Sequence, residues 1–344
     1  MRVLKSAGKI ILSGMLAAAI LCLIFSLYYS VPVHEPSKLG NTDYVWPENA
    51  RWFNMREGIS HGQYDENGFN NLNVVEDPDI LILGSSHMEA IQVLQYETTG
   101  TQLSKLLGGQ YSVYNMGISG HTFIKICKYL PQSLSLGNTP PKVVAMETST
   151  LSFSKEEIDA LQSGNVEFTP SHNTGLIAKL QKLPFFRIAY LQLTTGLLDV
   201  LLPDENQNTP LMTVKAAQGN FSAQSNLGDY DVLFGRIAES VGDRNIQVVI
   251  FYHPMESFSE DGTVSFAEDA GKELFEEKCR EYGYTFLDMT EPFLSLYGTE
   301  HKVPHGFATG QLGVGHLNRD GHRVIAQELA RTVLEMEECG VLCR

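Results

Sequence analysis

A serine and a histidine do covalent chemistry together when the fold brings the hydroxyl to a ring nitrogen. Two stretches of this chain carry such residues in suggestive settings. Gly84-Ser85-Ser86-His87 follows the short apolar run Ile80 to Leu83. A strand that turns at once into a helix leaves Ser86 at the carboxyl edge of a parallel sheet, where ligands bind. It also leaves backbone N–H groups at the helix start, where negative charge is stabilised. A nucleophile and its oxyanion need that arrangement, although an N-capping serine would leave the same tetrapeptide. The second stretch is His316-Leu317-Asn318-Arg319-Asp320-Gly321-His322, after Gly306, Gly310, Gly313 and Gly315. A histidine in a loop at the sheet edge titrates near neutrality and can act as general base. Asn318 is placed to cap the helix that follows.

The elements around these residues alternate. Short runs rich in β-formers occur at Ile80 to Leu83, Tyr111 to Tyr114, Val143 to Met146, Gln247 to Tyr252 and Phe286-Leu287. Helical spacing covers residues 86–107, 121–136, 265–281 and 320–337. The alternation predicts an α/β three-layer sandwich, a parallel sheet with helices on both faces. Residues 151–228 break the rhythm as one helical insertion. Within it, residues 174–202 are strongly apolar, which fits a hairpin packed on the core or a lid or membrane-facing cap over the site.

Three segments follow. Residues 1–33 hold an uncharged run from Ile10 to Val33 behind Arg2, Lys5 and Lys9. Helix from Ile10 to Tyr29 would span about 30 Å, the hydrocarbon thickness of a bilayer. The basic residues before it place the N-terminus inside and the remainder outside the membrane. A cleaved signal peptide is the competing reading, but the apolar run is long and its small residues Ala17 to Ala19 lie mid-run, so an uncleaved single-pass anchor with an extracytoplasmic domain is expected. Residues 34–78 read as a tether and an entry segment to the domain, with a turn at Asp65-Glu66-Asn67-Gly68. Residues 79–338 form the α/β domain. The net charge of −15 excludes nucleic acid as a partner. Cys339 and Cys343 are spaced to pair in an oxidising compartment, while Cys127 and Cys279 read as buried thiols. No cysteine–histidine spacing marks a zinc site, and neither a metal nor an organic cofactor is expected.

Together the two stretches resemble the SGNH (GDSL-like) hydrolase family over residues 78–335, with residues 151–228 unmatched. That family carries its nucleophile in Gly-Asp-Ser after the first strand. Gly84-Ser85-Ser86 matches, and the following His87 is similar to the form found in SGNH domains of cell-surface polysaccharide acyltransferases. Asn115-Met116-Gly117-Ile118-Ser119-Gly120 matches the second block, which implies Gly120 as an oxyanion donor. His316 to His322 matches the last block, His-Pro-Asn-x-x-Gly-His, except at Leu317. The resemblance implies a flavodoxin-like SGNH hydrolase fold with Ser86 as nucleophile and His316 as base. Two positions depart from the pattern. Ser149 stands where the third block has its oxyanion Asn, and Gly313 stands where the triad acid belongs. Glu147 and Asp288, both near strand ends, are the candidate acids. His87 and His253 are candidate substrate contacts, and His322 reads as structural.

The implied activity is an extracytoplasmic serine esterase or O-acyltransferase working through an acyl-serine on ester groups, acetyl above all, of a cell-surface carbohydrate. The alternatives are a lipase or phospholipid esterase, favoured by the apolar insertion, and a non-catalytic glycan-binding or assembly protein, favoured by the two departures.

Overall fold

The computed structural model describes residues 2–28, 34–54, 57–164, 186, 229–259, 261–266 and 268–342. Most of the 151–228 insertion, with the 174–202 hairpin or lid, lies outside these residues, as does Cys343, the partner expected for Cys339. Cys127 and Cys279 are both buried.

Helix α1 (Arg2–Tyr28) is, among the described residues, the one helix long and apolar enough to cross a membrane. Its apolar side chains, Ile10, Leu12 and Met15 among them, have no protein cover.

Five parallel strands form the central sheet: β5 (Ile80–Gly84), β6 (Val113–Gly117), β7 (Val143–Thr148), β8 (Gln247–Tyr252) and β11 (Thr285–Asp288). Their spatial order, β6-β5-β7-β8-β11, is the 2-1-3-4-5 order of flavodoxin-like sheets. The inner strands are buried on both faces, which is why they read as unbroken apolar runs. One face carries α4 (Phe123–Ser133), α5 (Lys155–Ser163), α6 (Tyr230–Val241) and α7 (Lys272–Glu281). The other carries α3 (Thr99–Leu106), α8 (Thr290–Glu300) and α9 (Arg319–Glu338). The core of the first face is aromatic: Phe275, fully buried, meets the rings of Phe123, Phe153, Tyr230, Phe234 and Phe286 at centroid distances from 5.0 to 6.2 Å.

The segment expected to be a tether and an entry segment is folded onto the domain and is not a free tether. It forms two small antiparallel pairs, β1 (Glu35–Pro36) with β2 (Tyr44–Val45) and β3 (Arg51–Asn54) with β4 (Ser60–Gln63). Ala50, Trp52 and Tyr64 make a small core of their own, and Tyr44, Val45 and Phe69 join the main core. Its turn is built as the sequence predicts: Asp65 Oδ1 accepts from the N–H groups of Asn67 at 2.9 Å and Phe69 at 3.0 Å. Gly68 takes φ +82 there, a conformation only glycine adopts freely.

Truncating the aromatic hub at Phe275 leaves a cavity that its neighbours cannot close. Phe275→Ala is expected to destabilise the chain by about 3–5 kcal/mol, measurable as a shift in its denaturant midpoint at unchanged slope.

Candidate active site

Three features bring Ser86 to the sheet edge. Strand β5 ends at Gly84, where a Cβ would crowd the Met88 side chain and come within 2.9 Å of Glu147 Oε2. Ser85 then caps helix α2 (Ser86–Glu89), its Oγ accepting from His87 N–H at 3.2 Å. Ser86 is therefore the first helical residue. The helix stops after one turn because side-chain amides take its carbonyls. Asn115 Nδ2 donates to Met88 O at 2.7 Å, and Asn70 Nδ2 donates to Glu89 O at 2.6 Å. Ala90 follows at φ 56, in the left-handed region. The single helix read over 86–107 is thus broken into α2, a 3-10 turn at Gln95–Glu97 and α3.

His316 stands on β13 (Leu312–Leu317), which pairs with β12 (His305–Gly306), rather than in a loop. Its Nε2 lies 2.9 Å from Ser86 Oγ, and its Nδ1 lies 2.6 Å from Glu57 Oε2. The other Glu57 oxygen accepts from the His316 backbone N–H at 2.5 Å. The network assigns the tautomer: Nδ1–H donates to Glu57, which leaves Nε2 to accept from the serine hydroxyl.

The carboxylate against His316 is therefore neither Glu147 nor Asp288, the two candidate acids. Glu147 is buried and accepts from Ser85 N–H at 2.5 Å, Ser85 Oγ at 3.1 Å and His253 Nε2 at 2.6 Å. Asp288 pairs with Lys272 and accepts from Thr290 N–H at 2.9 Å at the start of α8. Gly313, at the family's acid position, has φ +76 with the Phe258 ring against its α-carbon, so no side chain fits there. Gly315, at φ +99, leaves open the space that the Glu57 carboxylate occupies. Glu57 is held in turn by Asn54 Nδ2, which donates to its carbonyl at 2.6 Å, and by Gly58 N–H, which donates to Thr309 Oγ1 at 2.9 Å. Burial alone would raise the Glu57 pKa. The hydrogen bonds and charge of His316 more than offset that and hold it below the usual carboxylate value.

The other site residues fall on the same edge. Gly120 lies in the turn after β6 at φ +81, and Ser149 is exposed just past the end of β7. The turn of Gly120 is anchored by Glu89, which is buried and accepts from Ser119 N–H at 2.7 Å, from Tyr64 OH at 2.9 Å and from Trp46 Nε1. His253, expected to contact substrate, is fully buried with both ring nitrogens engaged, Nε2 by Glu147 and Nδ1 facing His305 Nε2 at 3.4 Å. His87 points inward as well, its Nδ1 accepting from Leu317 N–H at 3.2 Å. Burial, and then the imidazoles of His253, His316 and His305, hold its pKa well below the ordinary value. His322 is structural: it is fully buried and its Nδ1 meets Thr99 Oγ1 at 2.8 Å, joining α9 to α3. Asn318 caps α9, accepting from Asp320 N–H at 2.9 Å and Gly321 N–H at 3.2 Å.

The sequence reading singles out neither Glu57 nor His305, nor Glu256, which accepts from the His305 backbone N–H at 3.1 Å. The empty acid position at Gly313 was the available signal for the first. The other two carry no local pattern.

Neither a protein-family profile nor a curated protein sequence matches the chain. Among solved structures, the chain is similar to a Bacillus subtilis protein at 12% identity, covering 81% of this chain and 60% of that one, with a TM-score of 0.39. It is similar to an acetyl xylan esterase at 14% identity, covering 74% and 99%, with a TM-score of 0.40. A GDSL-like lipase from Bacteroides thetaiotaomicron has 11% identity, coverage of 74% and 87%, and a TM-score of 0.34.

Two outcomes check this geometry. Gly315→Ala would push the Glu57 carboxylate off His316 and is expected to lower the rate at which a fluorophosphonate labels Ser86 about a hundredfold, with the fold retained by circular dichroism. Gly310→Ala, where a Cβ meets only Phe307 O at 3.9 Å, should leave the rate near that of the parent. The second outcome concerns pH. Because its folded pKa is depressed, ionised Glu57 stabilises the native chain in full above the unfolded carboxylate value, and this is lost as pH falls through the folded value. Between roughly pH 5 and 3 the parent should lose more stability than Glu57→Gln does, as read by denaturant titration at each pH.

Proposed function

We propose that this chain is a membrane-anchored, extracytoplasmic serine esterase or O-acyltransferase of the SGNH type. The observation that carries the reading is the continuous line from Ser86 Oγ through His316 to Glu57, at 2.9 and 2.6 Å. The mechanism follows from that line. Ser86 Oγ attacks an ester carbonyl while His316 Nε2 takes its proton. Glu57 holds Nδ1–H and stabilises the imidazolium that forms. The Ser86 and Gly120 N–H groups and the Ser149 hydroxyl are assigned to the oxyanion. Collapse of the tetrahedral adduct returns the proton from His316 to the leaving alcohol and leaves an acyl-serine. Water or a sugar hydroxyl then attacks that ester, its proton passing through His316 again.

The carboxylate on His316 removes one of the two departures that favoured a purely binding protein, the empty family position at Gly313, and leaves the other, Ser149 in place of the oxyanion Asn. For the substrate, the match of Ser86-His87 to surface acyltransferase domains and the anchor-like α1 support acetyl or other short acyl groups on a cell-surface carbohydrate. A lipid-directed reading is kept because β13 itself exposes Leu312 and Val314, and Phe258 stands exposed against Gly313. Such side chains suit a longer acyl chain.

The full chain in detergent should hydrolyse p-nitrophenyl acetate and react with a fluorophosphonate at Ser86. Ser86→Ala should lose both, and His316→Ala should slow both by at least about a thousandfold. Preference for acetyl over octanoyl esters supports the carbohydrate reading, and the reverse supports the lipid reading. A folded parent that shows neither reaction would overturn the proposal.

A further inference from the structure

Behind Ser86 and His316 lies a second group of imidazoles that the proposed reaction does not use. His87, His253 and His305 come from α2, from the end of β8 and from β12. One nitrogen of each lies within 4.8 Å of the others. We propose that these three histidines bind one divalent transition-metal cation of the zinc class. The site does not depend on Ser86 being a nucleophile.

The hydrogen bonds determine which lone pairs are available. Glu147 Oε1 takes the Nε2–H of His253 at 2.6 Å, and Glu256 Oε2 takes the Nδ1–H of His305 at 2.5 Å. A second Glu256 oxygen accepts the His305 backbone N–H at 3.1 Å, which fixes the carboxylate. In a neutral imidazole the opposite nitrogen then carries a lone pair. Those opposite nitrogens, His253 Nδ1 and His305 Nε2, face each other at 3.4 Å. Two lone pairs at that distance repel unless a proton or a cation lies between them. A zinc ion with Zn–N bonds of about 2.0–2.1 Å in tetrahedral geometry sets its nitrogens about 3.3–3.4 Å apart. The separation found fits such an ion.

A carboxylate on the far nitrogen of each ring is also the usual outer shell of metal-bound histidine, where it sets the tautomer and raises the basicity of the ligand. Both rings are fully buried, so the pair is rigid. The all-nitrogen set selects zinc, cobalt or nickel over magnesium or calcium, which take oxygen. His87 supplies the third ligand and the half-buried side of the site. Its bond from Leu317 N–H, at 3.2 Å, is longer than the carboxylate bonds on the other two rings, and a ligating His87 gives it up. Because His87 directly follows Ser86, the ion would pin the serine's helical turn to β8 and β12.

The test uses the full chain without a polyhistidine tag, in detergent and stripped with a chelator, titrated with Co²⁺ and then with Zn²⁺. The expected result is one Co²⁺ per chain with the visible absorption of a tetrahedral site, displaced by Zn²⁺. Removing a ligand by His253→Ala or His305→Ala should abolish that absorption. Glu256→Gln keeps all three rings and should weaken binding about 10- to 100-fold. His87→Asn, at the least buried ligand, serves if the buried variants do not fold. Two results would overturn the proposal. One is a folded parent that binds no stoichiometric metal, which would mean that a shared proton fills the gap. The other is binding unchanged in Glu256→Gln and His87→Asn, which would put the ion elsewhere.

Discussion

The site depends on one contact, the carboxylate of Glu57 against the imidazole of His316. The two residues are separated by 259 positions, and both Glu57 oxygens are used, one on the ring and one on the backbone N–H. This two-point hold fixes the ring in its plane, which a single hydrogen bond cannot do. It also decides which nitrogen faces Ser86. Everything that folds the segment 34–78 onto the domain therefore serves this contact: the small core of Trp52 and Tyr64, the Asp65 turn, and Glu89 buried among donors from three elements. A buried carboxylate such as Glu89 is tolerable only when its hydrogen bonds are satisfied. By satisfying them from Tyr64, Trp46 and Ser119, the chain ties the N-terminal segment, α2 and the Gly120 turn into one unit.

The same device appears three times at this sheet edge. Glu57 holds His316, Glu147 holds His253, and Glu256 holds His305. The first pair is partly exposed and faces Ser86. The other two pairs are fully buried and face each other. Removing one member of such a buried pair leaves a charge or a donor without compensation, at a cost of several kcal/mol. Their retention in a core that apolar side chains could have filled is what directs attention to a bound cation. Glycines make the packing feasible. Gly84 lets Glu147 approach β5, and Gly315 lets Glu57 cross β13.

Much of this was legible in the sequence, for identifiable reasons. Strand β8 was read with its observed bounds because a strand buried on both faces is an unbroken apolar run. Ser86 and His316 stand out in the sequence because each sits beside a junction with strong local signals: the glycine and serine after β5, and the Asn318 cap before α9. The break after Glu89 was not legible, since Asn70 and Asn115 act on it from distant parts of the chain. Glu57 was missed for a related reason. It lies between two short strands in a segment without sustained periodicity, and the pattern that would name an acid is interrupted at Gly313. His305 shows the same limit: its partners His253 and Glu256 adjoin it only after the sheet and the last hairpin have formed.

The central claim is that Glu57 acts on Ser86 only through His316. A double-mutant cycle tests this directly, comparing fluorophosphonate labelling rates for the parent, Glu57→Gln, His316→Ala and the double variant. If the claim holds, Glu57→Gln slows the parent by about a thousandfold or more and has almost no effect once His316 is removed. Costs that simply add would contradict it, because Glu57 would then act on the rate by a route that does not pass through His316.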